Sequence, residues 1–390
     1  MALSKEIYGA VGTPRIYIDY VQYAKAMGYV KYYYGRFLDN VTGTYADAWD
    51  FNPTKTTTYQ ADSGGQYQRL GVVFNNSDIE TGVIPTPSLV NDSLRDLQFR
   101  NLLSTINYFG LLNHNLGEYF NNANNPEQRL IDLGNTVGHS NDFQIVGHNP
   151  NINDIGYSLF GVNYFSSPEP KYLEGLYIQI KTYSADNSGI LGTYPLLNLG
   201  TITAGRYFDF PVNPDLNVSI NFDYSGIKSA KNISGDEMTS INYHQSPNWG
   251  NLAPWTNIDL TPYQEQGIDP QQALLDQDYR AVRKGGRRTF KLSFSYIDKE
   301  DMFPKNFEGN LSGDYEPITE GSPSGFTWDE DSSIVSSFLN FTLGGQIPFI
   351  FQPDNTKQDF AICKLDKASS TIKQVAHGIY SVSMVFVETW

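Results

Sequence analysis

The chain is poor in cysteine, in basic residues and in long apolar runs. It has one cysteine, Cys363, so no disulfide can form within it, and 27 lysines and arginines stand against 42 aspartates and glutamates. The net charge of -15 argues against a nucleic-acid binder that would rely on cations to neutralise phosphates. No run approaches the roughly 20 apolar residues that span a bilayer, and residues 1–15 lack a secretory pattern. We expect no membrane partner, no sequence-specific nucleic-acid partner and synthesis in a reducing cytoplasm.

Aromatic and turn-forming residues are abundant. The 390 residues include 27 tyrosines, 23 phenylalanines, 34 glycines and 20 prolines. Aromatic residues favour strands and interfaces, and glycine and proline favour turns, so the composition predicts a mainly β protein. The length exceeds that of one ordinary domain. We predict two β-sandwich domains, a jelly-roll-like one within residues 1–204 and one with a packed α-helix within residues 205–390.

Periodicity supports this division. Alternating apolar residues predict strands, the strongest at 289–297, with others at 14–21, 217–224 and 380–387. Cys363 also falls in an alternating segment, which favours a buried structural thiol over a nucleophile. One amphipathic helix is predicted between a cap at Asp331 or Ser332 and the Gly344-Gly345 pair. Its apolar positions are Ile334, Val335, Phe338, Leu339 and Phe341.

Signatures of catalysis and of metal binding are missing from the sequence. His114, His139 and His148 lie within 35 positions of one another, but none of them pairs at the short spacing that places two imidazoles on one metal. A histidine that bonds backbone groups at a strand turn is the preferred interpretation. No nucleophile elbow, Walker loop or dinucleotide-binding pattern occurs. We predict no catalytic residues, no metal, no cofactor and no enzymatic activity.

Two sets of charged residues are candidates for an interface between subunits. The basic set could meet acidic loops of the next subunit, because oppositely charged patches at separate places favour head-to-tail contacts. The alternative is a solvated hairpin tip, and reversal of Arg287 and Arg288 to Glu would separate the two interpretations. The basic set is Arg283, Lys284, Arg287 and Arg288, and the acidic set is Asp298, Glu300, Asp301, Asp329, Glu330 and Asp331.

Exposed aromatic residues raise a second possibility, carbohydrate binding. Tyrosine and tryptophan rings stack on sugar faces while Asn and Asp accept hydrogen bonds from hydroxyls. The same residues at loop ends also seal cores and subunit contacts. The candidate glycan-contacting residues are Tyr119, Tyr157, Trp249 and Trp255.

Two resemblances bear on function. The order of strands at 106–115, 130–134 and 142–150, with the 142–150 strand continuing to 157–163, resembles the galactose-binding-like sandwiches. Residues 287–290, the helix, 344–354 and 386–390 resemble the C-terminal part of tail proteins of tailed bacteriophages, and 14–19 is similar to their opening. The second resemblance implies a tail-tube-like fold, as in tube and distal-tail proteins, that builds rings.

The combined interpretation is a structural virion protein of a tailed phage. It would form a hexameric or trimeric ring in the tail or baseplate and connect the tail tube to baseplate or fibre proteins. In many distal-tail proteins the ring-forming domain comes first, whereas here the tube-like half comes last, so the position within the virion stays open. The alternative is a carbohydrate-binding module that contacts glycans of the host surface.

Overall fold

A computed structural model describes the strands and the turns close to them, and every structural statement below concerns these residues. The chain divides into two compact units: unit 1 is Met1–Ile16, Phe208–Met302 and Thr342–Trp390, and unit 2 is Tyr17–Tyr207 and Phe303–Phe341. The predicted two-domain division after residue 204 stays a prediction. The described residues are 12–37, 39–53, 55–60, 67–74, 105–116, 130–134, 143–148, 157–161, 175–181, 196–215, 219–223, 227–231, 234, 237–241, 287–303, 333–356, 360–366 and 371–389.

A strand followed at once by a helix opens the described chain. Strand β1 (Arg15–Asp19) ends where the carboxylate of Asp19 accepts hydrogen bonds from the backbone N–H groups of Val21 and Gln22, at 2.7 and 3.2 Å. Helix α1 (Tyr20–Met27) begins there and ends at Gly28, whose φ of 76° is left-handed. The alternation through residue 21 predicted a continuing strand. The side-chain cap of Asp19 ends that strand two residues earlier.

Unit 2 contains two groups of antiparallel strands. In the first, β11 pairs with β4 and β6, β4 pairs with β3, and β6 pairs with β9. The second is a five-stranded sheet in the order β2-β5-β10-β7-β8. A 3₁₀ helix, Asp47–Trp49, buries Trp49. The strands are β2 (Val30–Arg36), β3 (Asp39–Thr42), β4 (Thr57–Gln60), β5 (Tyr67–Phe74), β6 (Tyr108–His114), β7 (Leu130–Gly134), β8 (Phe143–His148), β9 (Tyr157–Gly161), β10 (Gly175–Lys181) and β11 (Leu197–Asp209).

Unit 1 is built around β15 and β19. Its strands follow the order β12-β15-β19-β17-β16, β18 also pairs with β19, and β13 pairs with β14. Stacked phenylalanines form the core, for example Phe210 on Phe294 with ring centroids 4.7 Å apart. The elements are β12 (Ser219–Asp223), β13 (Ile227–Lys231), β14 (Glu237–Ile241), β15 (Arg287–Asp298), helix α2 (Lys299–Met302), β16 (Phe349–Gln352), β17 (Ala361–Leu365), β18 (Thr371–Ala376) and β19 (Ile379–Glu388).

The predicted amphipathic helix is present, with two differences. It covers Ile334–Asn340 with π-helical geometry rather than α-helical, and it groups with unit 2 rather than with the C-terminal strands. Its apolar face is buried through Ile334 and Phe338, and the ring of Phe341 packs 5.4 Å from that of Tyr23. The proposed capping residues Asp331 and Ser332 lie outside the described residues. Leu343, Gly344 and Gly345 follow with φ of 50°, 68° and 76°, which ends the helix.

The mainly β prediction is confirmed. Cys363 is buried in β17, as expected of a structural thiol. Within the described ranges, no helix has the length and apolar content needed to cross a membrane.

Candidate assembly surface

The hairpin of β18 and β19 leaves one strand almost wholly in solvent. All six residues of β18 are exposed, on both faces of the strand. Its pairing partner within the described chain is β19, with Ile372 opposite Val382 and Gln374 opposite Tyr380. Val375 is 54% exposed although it is aliphatic. A strand in this position is an edge, and an edge presents backbone N–H and C=O groups that another strand can pair with.

A bulge in the neighbouring strand adds a large aromatic side chain. The register of β15 with β19 shifts between Phe294, opposite Val382, and Ile297, opposite Tyr380. Within this bulge Tyr296 has a φ of 62° and is 78% exposed. A left-handed tyrosine is strained, and strain kept by a fold marks a site worth testing for function. We call β18 together with Tyr296 the hairpin surface.

Basic and acidic residues around the hairpin surface lie in different segments of the chain. Lys373 and His377 lie in a stretch, residues 371–387, that has no Asp or Glu although the whole chain carries a net charge of -15. At the turn, the N–H of Lys299 donates to the carbonyl of Gly378 at 2.9 Å, which ties the start of α2 to the hairpin. Three predicted interface residues therefore lie beside this turn, Asp298, Glu300 and Asp301. Burial raises the pKa of Asp301, and the charges of Asp298 and Glu300 raise it further.

The two described residues of the predicted basic set lie at the other end of β15. Arg287 and Arg288 begin this strand of 12 residues and Asp298 ends it, so the two sets are about 35 Å apart along one strand. Among the described members of the two sets, Asp298, Glu300 and Asp301 therefore lie at the hairpin turn, and Arg287 and Arg288 do not. Arg283, Lys284, Asp329, Glu330 and Asp331 lie outside the described residues. The assignment of these residues to a subunit interface stays a prediction.

Arg288 has a structural role within the chain. Its Nη2 donates to the carbonyl of Phe360 at 2.7 Å and pairs with Glu388 Oε1 at 3.2 Å. The side chains of Arg288 and Glu388 are 13% and 9% exposed. The guanidinium also lies 5.3 Å from the ring centroid of Phe290. Reversal of Arg288 to Glu would thus test folding as well as assembly.

Glu388→Gln should destabilise the protein by about 2–3 kcal/mol. The substitution keeps the shape of the side chain and leaves a partly buried guanidinium without its carboxylate. Urea unfolding followed by circular dichroism measures the change. The matched control is Lys55→Gln in the solvated Lys55–Asp47 pair, where we expect stability close to that of the wild type because exposed ion pairs contribute little. Equal stability of both variants and the wild type would contradict the assigned role of Glu388.

The histidines behave as the sequence predicted where they can be assessed. His114 is buried at the end of β6, and its Nδ1 accepts a hydrogen bond from the N–H of Leu116 at 3.2 Å. Burial lowers its pKa to about 3, so the ring is neutral. The His139 position is outside the described residues, and for His148 the backbone alone is described. Across the described part of the chain, no three His, Cys, Asp or Glu side chains are grouped as metal ligands.

The predicted glycan-contacting residues are not described in side-chain detail. Tyr119, Trp249 and Trp255 lie outside the described residues, and Tyr157 begins β9 as a backbone position alone. Sequence reasoning missed β18, since the last strand that it predicted begins at residue 380. It also placed Tyr296 in an alternating strand. The signal for β18 was the His377-Gly378 turn, which separates it from β19 and makes a hairpin.

The similarity of this chain to known proteins is weak. No family model matches the chain, and no curated protein matches it. Among solved structures, the chain is similar to CBM32-1 from a family 31 glycoside hydrolase of Clostridium perfringens, at 12% identity and a TM-score of 0.22. The match covers 46% of this chain and 96% of that module. A likeness of this strength carries no argument about function.

Proposed function

We propose that this protein is a non-enzymatic structural subunit that associates with copies of itself through the hairpin surface. The observations that carry the proposal are β18, a strand exposed along its whole length, and Tyr296, a strained and exposed tyrosine of β15 on the other side of β19. Folded proteins usually shorten, charge or cover such an edge, because it invites pairing with another chain. β18 carries Lys373 and a register shift between Gln374 and Ala376, yet it also keeps the exposed apolar side chains of Ile372 and Val375. These features fit a strand whose free edge pairs with another chain in the assembly.

The occupant that we propose for this edge is a second copy of the chain. Main-chain hydrogen bonds along an added strand supply affinity, and alternate side chains supply specificity. The positive charge of Lys373 complements the acidic residues Asp298, at the end of β15, and Glu300 and Asp301, in α2. Charge complementarity of this kind sets the register and orientation of the partner, and head-to-tail contacts close into rings when the rotation allows.

The biological setting that we propose is the tail or baseplate of a tailed bacteriophage. There the subunit would form a hexameric or trimeric ring that links the tail tube to baseplate or fibre proteins. The support for this setting is the resemblance of residues 287–290, 344–354 and 386–390 to tail proteins. Negative-stain images of the purified protein would test it, because closed rings with sixfold or threefold views are expected. Open filaments or a monomer at all concentrations would argue against a ring.

Charging the exposed edge should dissociate the assembly. We expect the Ile372→Lys, Val375→Lys double variant to elute as the 43.8-kDa monomer at concentrations where the wild type is oligomeric. Lysine on an edge strand opposes strand addition, and both side chains are exposed, so the fold itself should be unaffected. Light scattering coupled to size-exclusion chromatography gives the mass.

The control for this experiment is Met27→Lys, which charges an exposed apolar residue that belongs to unit 2 rather than to the hairpin. This variant should keep the mass of the wild type. A double variant that assembles like the wild type, or a wild type that stays monomeric at high concentration, would contradict the proposal.

A further inference from the structure

Three tyrosines and an arginine cluster on the five-stranded sheet of unit 2. Tyr34 of β2 lies opposite Gly71 of β5, which lies opposite Tyr177 of β10, so the three residues form one row across adjacent strands. The ring centroids of Tyr32 and Tyr34 are 6.5 Å apart. The guanidinium carbon of Arg69 lies 5.5 Å from the centroid of the Tyr177 ring. We call Tyr32, Tyr34, Arg69 and Tyr177 the tyrosine face.

Gly71 makes room for this arrangement. A Cβ at position 71 would stand 2.5 Å from Cζ and 2.7 Å from the hydroxyl oxygen of Tyr34, so the phenol ring lies directly over the glycine. Burial raises the pKa of Tyr34 to about 12, and the charge of Arg69 opposes part of that rise. The Tyr34 phenol therefore keeps its proton at neutral pH and lies within the field of the guanidinium. Hydroxyl and guanidinium groups are thus grouped beside aromatic rings.

Tyr32 is the accessible member of the tyrosine face. Its side chain is 44% exposed, whereas Tyr177 is buried and Tyr34 and Arg69 are partly covered. An exposed ring beside hydrogen-bonding groups matches the chemistry of a sugar site, in which the ring stacks on the C–H face of a pyranose and polar groups bond its hydroxyls. The net charge of -15 disfavours anionic ligands. A neutral sugar fits these properties better than an acidic one.

We propose that the tyrosine face binds a neutral hexopyranose glycan, with one sugar ring stacked on Tyr32 and hydroxyls bonded by Tyr34 and Arg69. The tyrosine face shares no residue with the hairpin surface, since all of its groups come from β2, β5 and β10. Carbohydrate binding was also the alternative function in the sequence analysis, but the residues proposed here differ from the glycan-contacting residues predicted there.

Isothermal titration calorimetry of the full chain tests the proposal. The probes are soluble tetrasaccharides of galactose, glucose, mannose and N-acetylglucosamine. We expect at least one to bind, and Tyr32→Ala to weaken that binding about tenfold or more because the stacking ring is lost. Tyr32→Phe keeps the ring and should bind within about threefold of the wild type.

Tyr296→Ala is the matched control, because it removes an exposed tyrosine from the hairpin surface and leaves the tyrosine face intact. It should leave glycan affinity unchanged while it weakens assembly. Circular dichroism shows whether Tyr32→Ala is folded, and the Tyr32→Phe result separates loss of stacking from loss of fold. The proposal is overturned if none of the four probes binds the wild type, or if Tyr32→Ala binds as tightly as the wild type.

Discussion

Gly205→Ala should destabilise the protein by about 3 kcal/mol or more, because the added methyl group has no space. A Cβ at position 205 would overlap the carbonyl oxygen of Ile18 and would lie 3.1 Å from the backbone nitrogen of Tyr20. Both neighbours are main-chain atoms, which cannot rotate aside as a side chain would. The backbone of Gly205 is held on its other side by β6, where the N–H of Asn107 donates to its carbonyl at 2.9 Å. The overlap can therefore be relieved only if two strands, β1 and β11, move apart.

Urea unfolding followed by tryptophan fluorescence measures this loss, since Trp49 is buried in the same unit. Gly161→Ala is the control, because position 161 is an exposed strand glycine with no atom near an added Cβ. That control should be neutral or stabilising by up to about 1 kcal/mol, since alanine restricts the unfolded chain more than glycine does. If Gly205→Ala and Gly161→Ala unfold at the same urea concentration, the close approach of the backbones at Gly205 is wrong.

Asp19→Asn and His114→Asn should change the pH dependence of stability in opposite directions. Burial raises the pKa of Asp19 from its ordinary 3.8 to about 7, although bonds from Gln22, Val21 and Thr203 lower it in part. Burial lowers the pKa of His114 from 6.5 to about 3. As pH rises from 4 to 7, unfolded chains lose the Asp19 proton while folded chains keep it, so this group lowers stability. As pH falls from 6.5 to 3, unfolded chains protonate His114 while folded chains do not, so this group lowers stability in that direction.

Between pH 4 and 6.5 the two contributions cancel in the wild type. Relative to the wild type, Asp19→Asn should therefore gain about 1.4 kcal/mol of stability per pH unit as pH rises, up to about 4 kcal/mol in all. His114→Asn should gain a similar amount per unit as pH falls. Asparagine keeps an acceptor for the helix cap at position 19, and it offers one for the N–H of Leu116 at position 114.

The measurement is the free energy of unfolding of the three proteins at pH 4.5, 5.5 and 6.5, as differences from the wild type at each pH. Taking differences removes the background from other carboxylates of this acidic chain. If the free energy of unfolding of a variant changes with pH in the same way as that of the wild type, the substituted group is solvated or already titrated in the folded state. The two variants test the two groups separately.

Much of the secondary structure is readable from local pattern. The alternation at 289–297 and 380–387 predicted β15 and β19, and the apolar segments at 106–115 and 142–150 predicted β6 and β8. The helix at 334–340 was predicted from its spacing, because Ile334 and Phe338 must share one face to be buried together. The burial of Cys363 followed from its place in an alternating segment. These features depend on residues a few positions apart, which the sequence displays directly.

The candidate assembly surface was less predictable. Tyr296 has the same parity as Phe290, Leu292 and Phe294, so alternation places it in the core. One bulge reverses this, and Ile297 is buried while Tyr296 is exposed. The partner of Arg288 was also hidden, because Glu388 is 100 positions away and the two meet through pairing of β15 with β19.

The amino-acid sequence by itself determined that this chain is mainly β, where many strands run, and that its one cysteine would be buried. Those outcomes follow from side-chain periodicity, which is local. The tertiary structure alone decided which segments form each unit, which edge strand stays in solvent, and which tyrosines are exposed. Strand partners, bulges and long-range ion pairs depend on which distant segments meet, and that choice is made by packing of the whole chain rather than by any short stretch of it.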